Sequence, residues 1–208
     1  MAHTYAALVE RLVAMVRLAE TALSRASHVA LETVAAAADQ ELAAAEAALQ
    51  PLDDLIEDDA ALLLAGHGTT PGDVRSVVAD THVGAEVQQL AEAIRRVGEI
   101  AWVRRTRGPL PEPARQPLGG MSSLALEMVA KAADALQNAE PEIIADLHTG
   151  LNEIGQRQRL LYGQLLSFEQ PLERTDVVDA VLLSGYFERC ASHALALARH
   201  AALFAVRP

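Results

Sequence analysis

Apolar residues recur at three- and four-residue spacing along most of the chain, the period of an α-helix that buries one face. Over residues 5–31 the stripe consists of Leu8, Leu12, Met15, Val16, Ala19, Ala22 and Leu23, with Glu10, Arg17, Glu20 and Arg25 left for the opposite side. A second stripe over 35–65 contains Leu42, Ala45, Leu49, Leu52, Leu55, Ile56, Leu62 and Leu63. Pro51 lies within it, and because proline lacks an amide donor and crowds the preceding turn, a kink or a break into two helices is expected at 47–51. Residues 66–73, reading GHGTTPGD, stop one helix and start the next: glycine ends the first, Thr70 caps the second, Pro71 takes its first position and Asp73 its first turn. The third stripe, to about residue 105, carries Val74, Val77, Val78, Val87, Leu90, Ile94, Val97 and Ile100.

Residues 108–120 contain Pro109, Pro111, Pro113 and Pro117 and are expected to form a non-helical linker. Beyond it the plan repeats, with helices expected over 121–137, 141–167 and 176–206; Asp176 reads as the cap of the last, with Asp179 three residues on. The repeat is visible in the residues themselves. Met15, Val16, Ala19, Ala22 and Leu23 line up with Met128, Val129, Ala132, Ala135 and Leu136, while Arg96, Gly98, Glu99 and Ala101 line up with Arg189, Ala191, Ser192 and Ala194. The expected fold is all-α: two pseudo-repeated antiparallel three-helix bundles, over 1–108 and 121–208, joined by a linker at 109–120.

Composition strengthens this reading. The chain is 51% hydrophobic but only 3% aromatic, and its abundant alanine favours narrow helix packing over sheet. A single cysteine, Cys190, excludes an intrachain disulfide and a thiolate zinc cluster, as in a protein of the reducing cytoplasm. The N-terminus has no secretory pattern and no stretch is apolar enough to insert in a membrane, so a cytoplasmic location is expected. Charge is unevenly placed: residues 1–94 hold 4 basic and 15 acidic side chains, residues 95–208 hold 13 of each, and the whole net charge of −11 lies in the first half. Arg95, Arg96, Arg104, Arg105 and Arg107 follow at once, either as a solvated helix end facing the negative pole of its dipole or as a docking site for an acidic partner. Nucleic acid is not an expected partner of a chain with a pI near 5.0 and no recognition motif.

The segment 185–194, GYFERCASHA, and the turn Pro71-Gly72-Asp73-Val74-Arg75 carry a resemblance to the PhoU family. In that family each half ends in a helix bearing Glu-Arg-x-Gly/Ala-Asp, and the third helix opens with Pro-x-Asp-Leu-Arg. Glu188, Arg189, Ala191, His193 and Ala194 fit the first pattern; Arg95-Arg96-Val97-Gly98-Glu99 stands at the matching place in the first half. The resemblance implies a negative regulator of phosphate uptake and phosphate-starvation signalling. It would act by contact with the ATPase of a phosphate ABC transporter and with a sensor histidine kinase, as a homodimer, with Arg75, Arg96, Glu188 and Arg189 as partner-binding candidates. Apolar residues left on secondary helix faces also favour self-association.

Some members of the family hold multinuclear iron or zinc clusters between acids four residues apart, a spacing that puts both on one helix face. Here Arg95 stands where the first glutamate would be, Glu99 replaces the aspartate and Ser192 replaces the second aspartate. Glu99 and Glu188 remain as possible ligands, a set too poor for a cluster, and no cofactor is expected. The alternative is a metal- or ligand-binding bundle with no phosphate role. His193, His200 and Cys190 read as structural or surface groups, and Trp102, Tyr162, Tyr186 and Phe187 as core or interface anchors. The glycine-rich turn lacks the lysine and preceding strand of a phosphate-binding loop, and neither Glu-x-x-His nor a nucleophile elbow is found, so no enzymatic activity is expected.

Overall fold

The alternation of apolar and polar positions becomes six helices: α1 (Ala2–Glu32), α2 (Ala35–Gly66), α3 (Pro71–Arg104), α4 (Glu112–Gln137), α5 (Pro141–Leu165) and α6 (Arg174–Ala205). The computed structural model describes the backbone of residues 2–32, 35–66, 71–138, 140–167 and 172–205, and the side chains of 9–32, 37–52, 81–138, 140–167 and 172–202. Among these residues there is no strand. The cap expected at Thr70, and the side chains of Leu8, Leu55, Ile56, Leu62, Leu63, Val74, Val77 and Val78, lie outside the described residues.

Helices α1, α3, α6 and α4 form a closed ring, each packed on the next, with α2 covering α1 and α3 and α5 covering α4 and α6. The two three-helix units are therefore fused face to face and share one apolar core. At its centre the aligned sets Met15, Val16, Ala19, Ala22, Leu23 and Met128, Val129, Ala132, Ala135, Leu136 are all buried. Alanine at four of these ten positions lets the helix axes come close. Gly150 shows how close: a Cβ there would meet Met128 Sδ at 2.9 Å.

The prolines are absorbed into helices. Of the kink or break expected at 47–51, the break does not occur: helix α2 runs through Pro51, and Leu49 and Leu52, at 1% and 0% exposure, hold both sides against the core. Burial of two leucines, roughly 1.5–3 kcal/mol each, offsets the roughly 3 kcal/mol that an interior proline costs. The linker is also shorter than the sequence suggests, because α4 already begins at Glu112 and takes in Pro113 and Pro117. Pro113 lies in the first turn, where the amide lacks an intrahelical partner; Pro117 lies inside the helix, and Leu110, Ala114, Leu118 and Met121 continue the buried stripe across it. What remains is the turn after α3, closed by Gly108 at φ +85°, a left-handed conformation suited to glycine.

Asp176 is not a cap. It lies inside the first turn of α6, and with Asp179 it receives the guanidinium of Arg104: Nη1 donates to Asp176 Oδ1 at 2.9 Å and to Asp179 Oδ2 at 2.7 Å. Arg104 is only 3% exposed, so this charged joint is built into the contact between α3 and α6.

Candidate functional site

The residues singled out by the sequence fall on α3 and α6, whose polar faces reach the surface while their apolar faces form part of the ring. Arg96 is held along its own helix, by Glu92 at 2.9 Å one turn before and by Glu99 at 2.9 Å one turn after. Helical spacing brings these three charges together. Both Glu99 oxygens accept from Arg96 Nη1, and the Glu99 hydrogen bond is the main cause that raises the Arg96 pKa.

At the corresponding place on α6, Ser192 Oγ donates to Glu188 Oε1 at 3.1 Å, and the guanidinium of Arg189 lies 5.5 Å from the centre of the Tyr186 ring. Arg96 and Arg189, aligned in the sequence repeat, are both exposed. It does not bring Glu99 and Glu188 together into one site, since each is engaged within its own helix. The side chain of Arg75 lies outside the described residues.

The remaining arginines of the basic stretch are largely engaged within the molecule. Arg104 is buried against Asp176 and Asp179; Arg107 Nη1 approaches Asp179 at 3.4 Å. Arg105 lies over the Trp102 ring at 3.5 Å and pairs with Asp39 of α2 at 3.0 Å. These contacts tie elements of the molecule together, while Arg107 stays exposed.

A second polar cluster, between α3 and α6, was not assembled from the sequence. His193 Nδ1 lies 2.7 Å from Glu86 Oε2, His200 Nε2 lies 3.9 Å from Glu86 Oε1, and His200 stacks on His82 with ring centres 5.1 Å apart. Burial is the first cause that lowers the His200 pKa, opposed by Glu86 and reinforced by His82. The spacing from His82 to Glu86 and from His193 to His200 places each pair on one helix face, but only the fold shows that the two faces meet.

Metal fits poorly here. At the positions of the two motifs, this chain offers Glu99 with both oxygens on Arg96, and Glu188 bonded to a hydroxyl. In the other cluster the parallel stacking of His82 on His200 does not converge their ring nitrogens on one point. Among the described residues no group of three or more His, Cys, Asp or Glu is arranged to hold a metal ion. Burial pushes the Cys190 thiol up to about 12, far from the thiolate a nucleophile needs.

This geometry defines a class: a two-repeat helical bundle whose polar residues are arranged as joints and as exposed helix faces. The chain is similar to proteins of the PhoU family. Residues 118–201 match the family model described as the PhoU domain. Over 192 residues, 92% of this chain and 90% of the relative, it is 29% identical to the phosphate-specific transport system accessory protein PhoU homolog 2 of Mycobacterium tuberculosis. It is 27% identical to PhoU homolog 1 of Mycobacterium leprae, over 92% of this chain and 86% of that one. The crystal structure of PhoU from Pseudomonas aeruginosa has the same fold, with a TM-score of 0.84 over 99% of both chains at 15% identity. Among the described residues no helix is long and apolar enough to cross a membrane.

Proposed function

We propose that this protein is an accessory regulator of phosphate transport and of phosphate-starvation signalling, acting in the cytoplasm by protein contact and without catalysis. The observation that carries the reading is its likeness, over nine-tenths of its length, to proteins named as accessories of a phosphate-specific transport system. Its partners on this reading are the ATPase of a phosphate ABC transporter and a sensor histidine kinase. Binding to one conformation of a kinase in preference to another restrains signalling by differential affinity alone. On this reading the two three-helix units, α1 to α3 and α4 to α6, present two related faces, on α3 and α6, that carry Arg96 on one and Glu188 and Arg189 on the other; Arg75 lies in the first turns of α3.

Self-association is part of the proposal. At the start of α6, Val178, Val181 and Leu182 are exposed at helical spacing, and Leu160 and Leu166 are exposed on and just after the end of α5. We read this apolar end as the homodimer face. Light scattering of the Val181→Asp variant is expected to show a monomer where the parent is a dimer.

The functional reading is tested by reversing Arg96 and Arg189 to glutamate together. Both are exposed, so helicity and thermal stability should hold while binding to the transporter ATPase or the kinase weakens by tenfold or more, the scale of a lost charged contact at an interface. Chelators should change neither. Unaltered binding by the folded double variant rejects these surfaces, and loss of binding on chelation rejects the metal-free mechanism.

A further inference from the structure

On the flank of the first half, residues of α1, α2 and α3 line a groove of about 830 Å³. Ala26 of α1 lies at its base; Leu42, Leu49 and Ile94 supply apolar wall, and Trp102 and Val103 stand at one end, 47% and 51% exposed. Gly98 lies in the α3 wall, and a Cβ built there meets nothing within 4 Å. The lining runs from Asp39 to Leu49 on α2 and from Ile94 to Val103 on α3. At 1.5 Å per residue that is a slot about 15 Å long, the length of about three helical turns.

Its charge is acidic on the α2 side. Asp39 and Glu46 line the groove from α2, which carries eight acidic residues and no basic one, while Glu99 and Arg95 line it from α3; Asp39 is paired with Arg105 and Glu99 with Arg96. In the second half the same register is closed: Ala191 is fully buried where Gly98 stands, and Leu195 is 3% exposed where Trp102 stands. The opening therefore does not follow from the repeated plan itself.

We propose that this groove docks an amphipathic helix of a partner protein, about three turns long, with aliphatic residues on its inner face and lysine or arginine along one edge. An apolar slot between two helices accepts a helix by burying its apolar stripe, and the acidic α2 wall selects a basic flank and speeds encounter. The proposal rests on the reading of this chain as a binding module, but the slot is separate from Arg189 and Glu188 on α6. Loss of one contact leaves the other measurable.

Trp102 is the only tryptophan in the chain, so its emission reports on the groove. The full chain is titrated with a synthetic helical peptide of about 14 residues, four turns, built from leucine, alanine and lysine and free of aromatic residues. Two controls are used, one with glutamate in place of lysine and one with the lysine peptide's composition scrambled so that no face is apolar. The lysine peptide should shift Trp102 emission to shorter wavelength and saturate at micromolar concentration, with both controls at least tenfold weaker. Gly98→Leu, whose side chain extends into open space, and Ala43→Leu, on the exposed opposite wall, should each weaken binding at least tenfold at unchanged helicity.

Equal binding of the lysine and scrambled peptides overturns the proposal, because it reduces the effect to bulk charge attraction. Full binding by the filled-groove variants overturns it by moving the site elsewhere. A blue shift that grows with protein concentration alone overturns it in favour of a second copy of this chain. None of these readings depends on the transporter or the kinase, and Arg189→Glu alone, on α6, should leave them unchanged; Arg96 is left out of that control because it pairs with Glu99 on the groove wall.

Discussion

The two halves share a helix plan and differ in what they leave open. Along α6, Phe187, Ala191 and Leu195 are all buried; along α3, in the same register, Ile94 is buried, Gly98 is partly open and Trp102 is half-exposed. Residues 1–108, with 16 acidic and 9 basic side chains, carry more of the negative excess than residues 109–208, with 12 and 8. Duplication supplies two copies of one scaffold, and this chain has kept one sealed while the other carries an acidic, open flank. Symmetric structure thus coexists with asymmetric surface chemistry, because the ring of α1, α3, α6 and α4 holds the fold whatever α2 and α5 present outward.

The largest effect should come from the joint that fixes the halves to each other. Replacing Arg104 by leucine leaves Asp176 and Asp179, both 14% exposed, facing each other without their main partner. Removing one member of a buried ion pair typically costs about 3–5 kcal/mol, so chemical denaturation should show a loss of that order and a correspondingly lower midpoint. A loss below about 1 kcal/mol would mean that the halves are held by apolar packing alone. The reciprocal variant, Arg107→Leu, removes a weaker and more exposed contact to Asp179 and should cost far less.

A pair of opposite substitutions sharpens the comparison between flanks at the next scale down. Gly98→Ala places a methyl in open space within a helix and should stabilise by about 1 kcal/mol, the propensity difference between the two residues. Ala191→Gly removes a buried methyl as well as the propensity advantage, and should destabilise by about 2 kcal/mol. Equal and opposite changes in thermal midpoint would show instead that the two positions have similar surroundings.

The helices were legible because their period is local: each stripe can be read from a dozen consecutive residues. The extent of α4 could also have been read, since Leu110, Ala114, Leu118 and Met121 continue the helical spacing through the prolines; weighting proline above periodicity obscured it. Arg104 likewise falls three residues after Ala101 and seven after Val97, on the buried stripe of α3. What the sequence did not carry was its partnership with Asp176 and Asp179, or the meeting of Glu86 with His193, because more than seventy residues separate each pair. The groove was illegible for a different reason. It depends on how far α2 stands from α3, and nothing local to either helix sets that distance.

The smallest expected effect lies at the seam between the halves, where acid should loosen α3 from α6. His200 is faced by Glu86 and His82 from α3 and shares its α6 face with His193; its Nδ1 is buried without a hydrogen-bond partner among the described residues. Burial lowers its pKa, Glu86 acts to raise it and His82 to lower it, with a net fall below the ordinary value of 6.5. The unfolded chain therefore binds a proton more readily than the folded one in the interval between the folded pKa and the unfolded value. Stability from this group is complete above about pH 6.5 and is lost as pH falls through the folded value. The thermal midpoint should accordingly drop between pH 7 and pH 5, and part of that drop should vanish in His200→Gln, which cannot take up the charge. Glu86→Gln should act in the opposite sense: without the carboxylate that favours the imidazolium, the acid-induced loss attributable to His200 grows. An identical pH slope in the parent and His200→Gln would remove His200 from the acid response and leave the contact between α3 and α6 insensitive to its protonation.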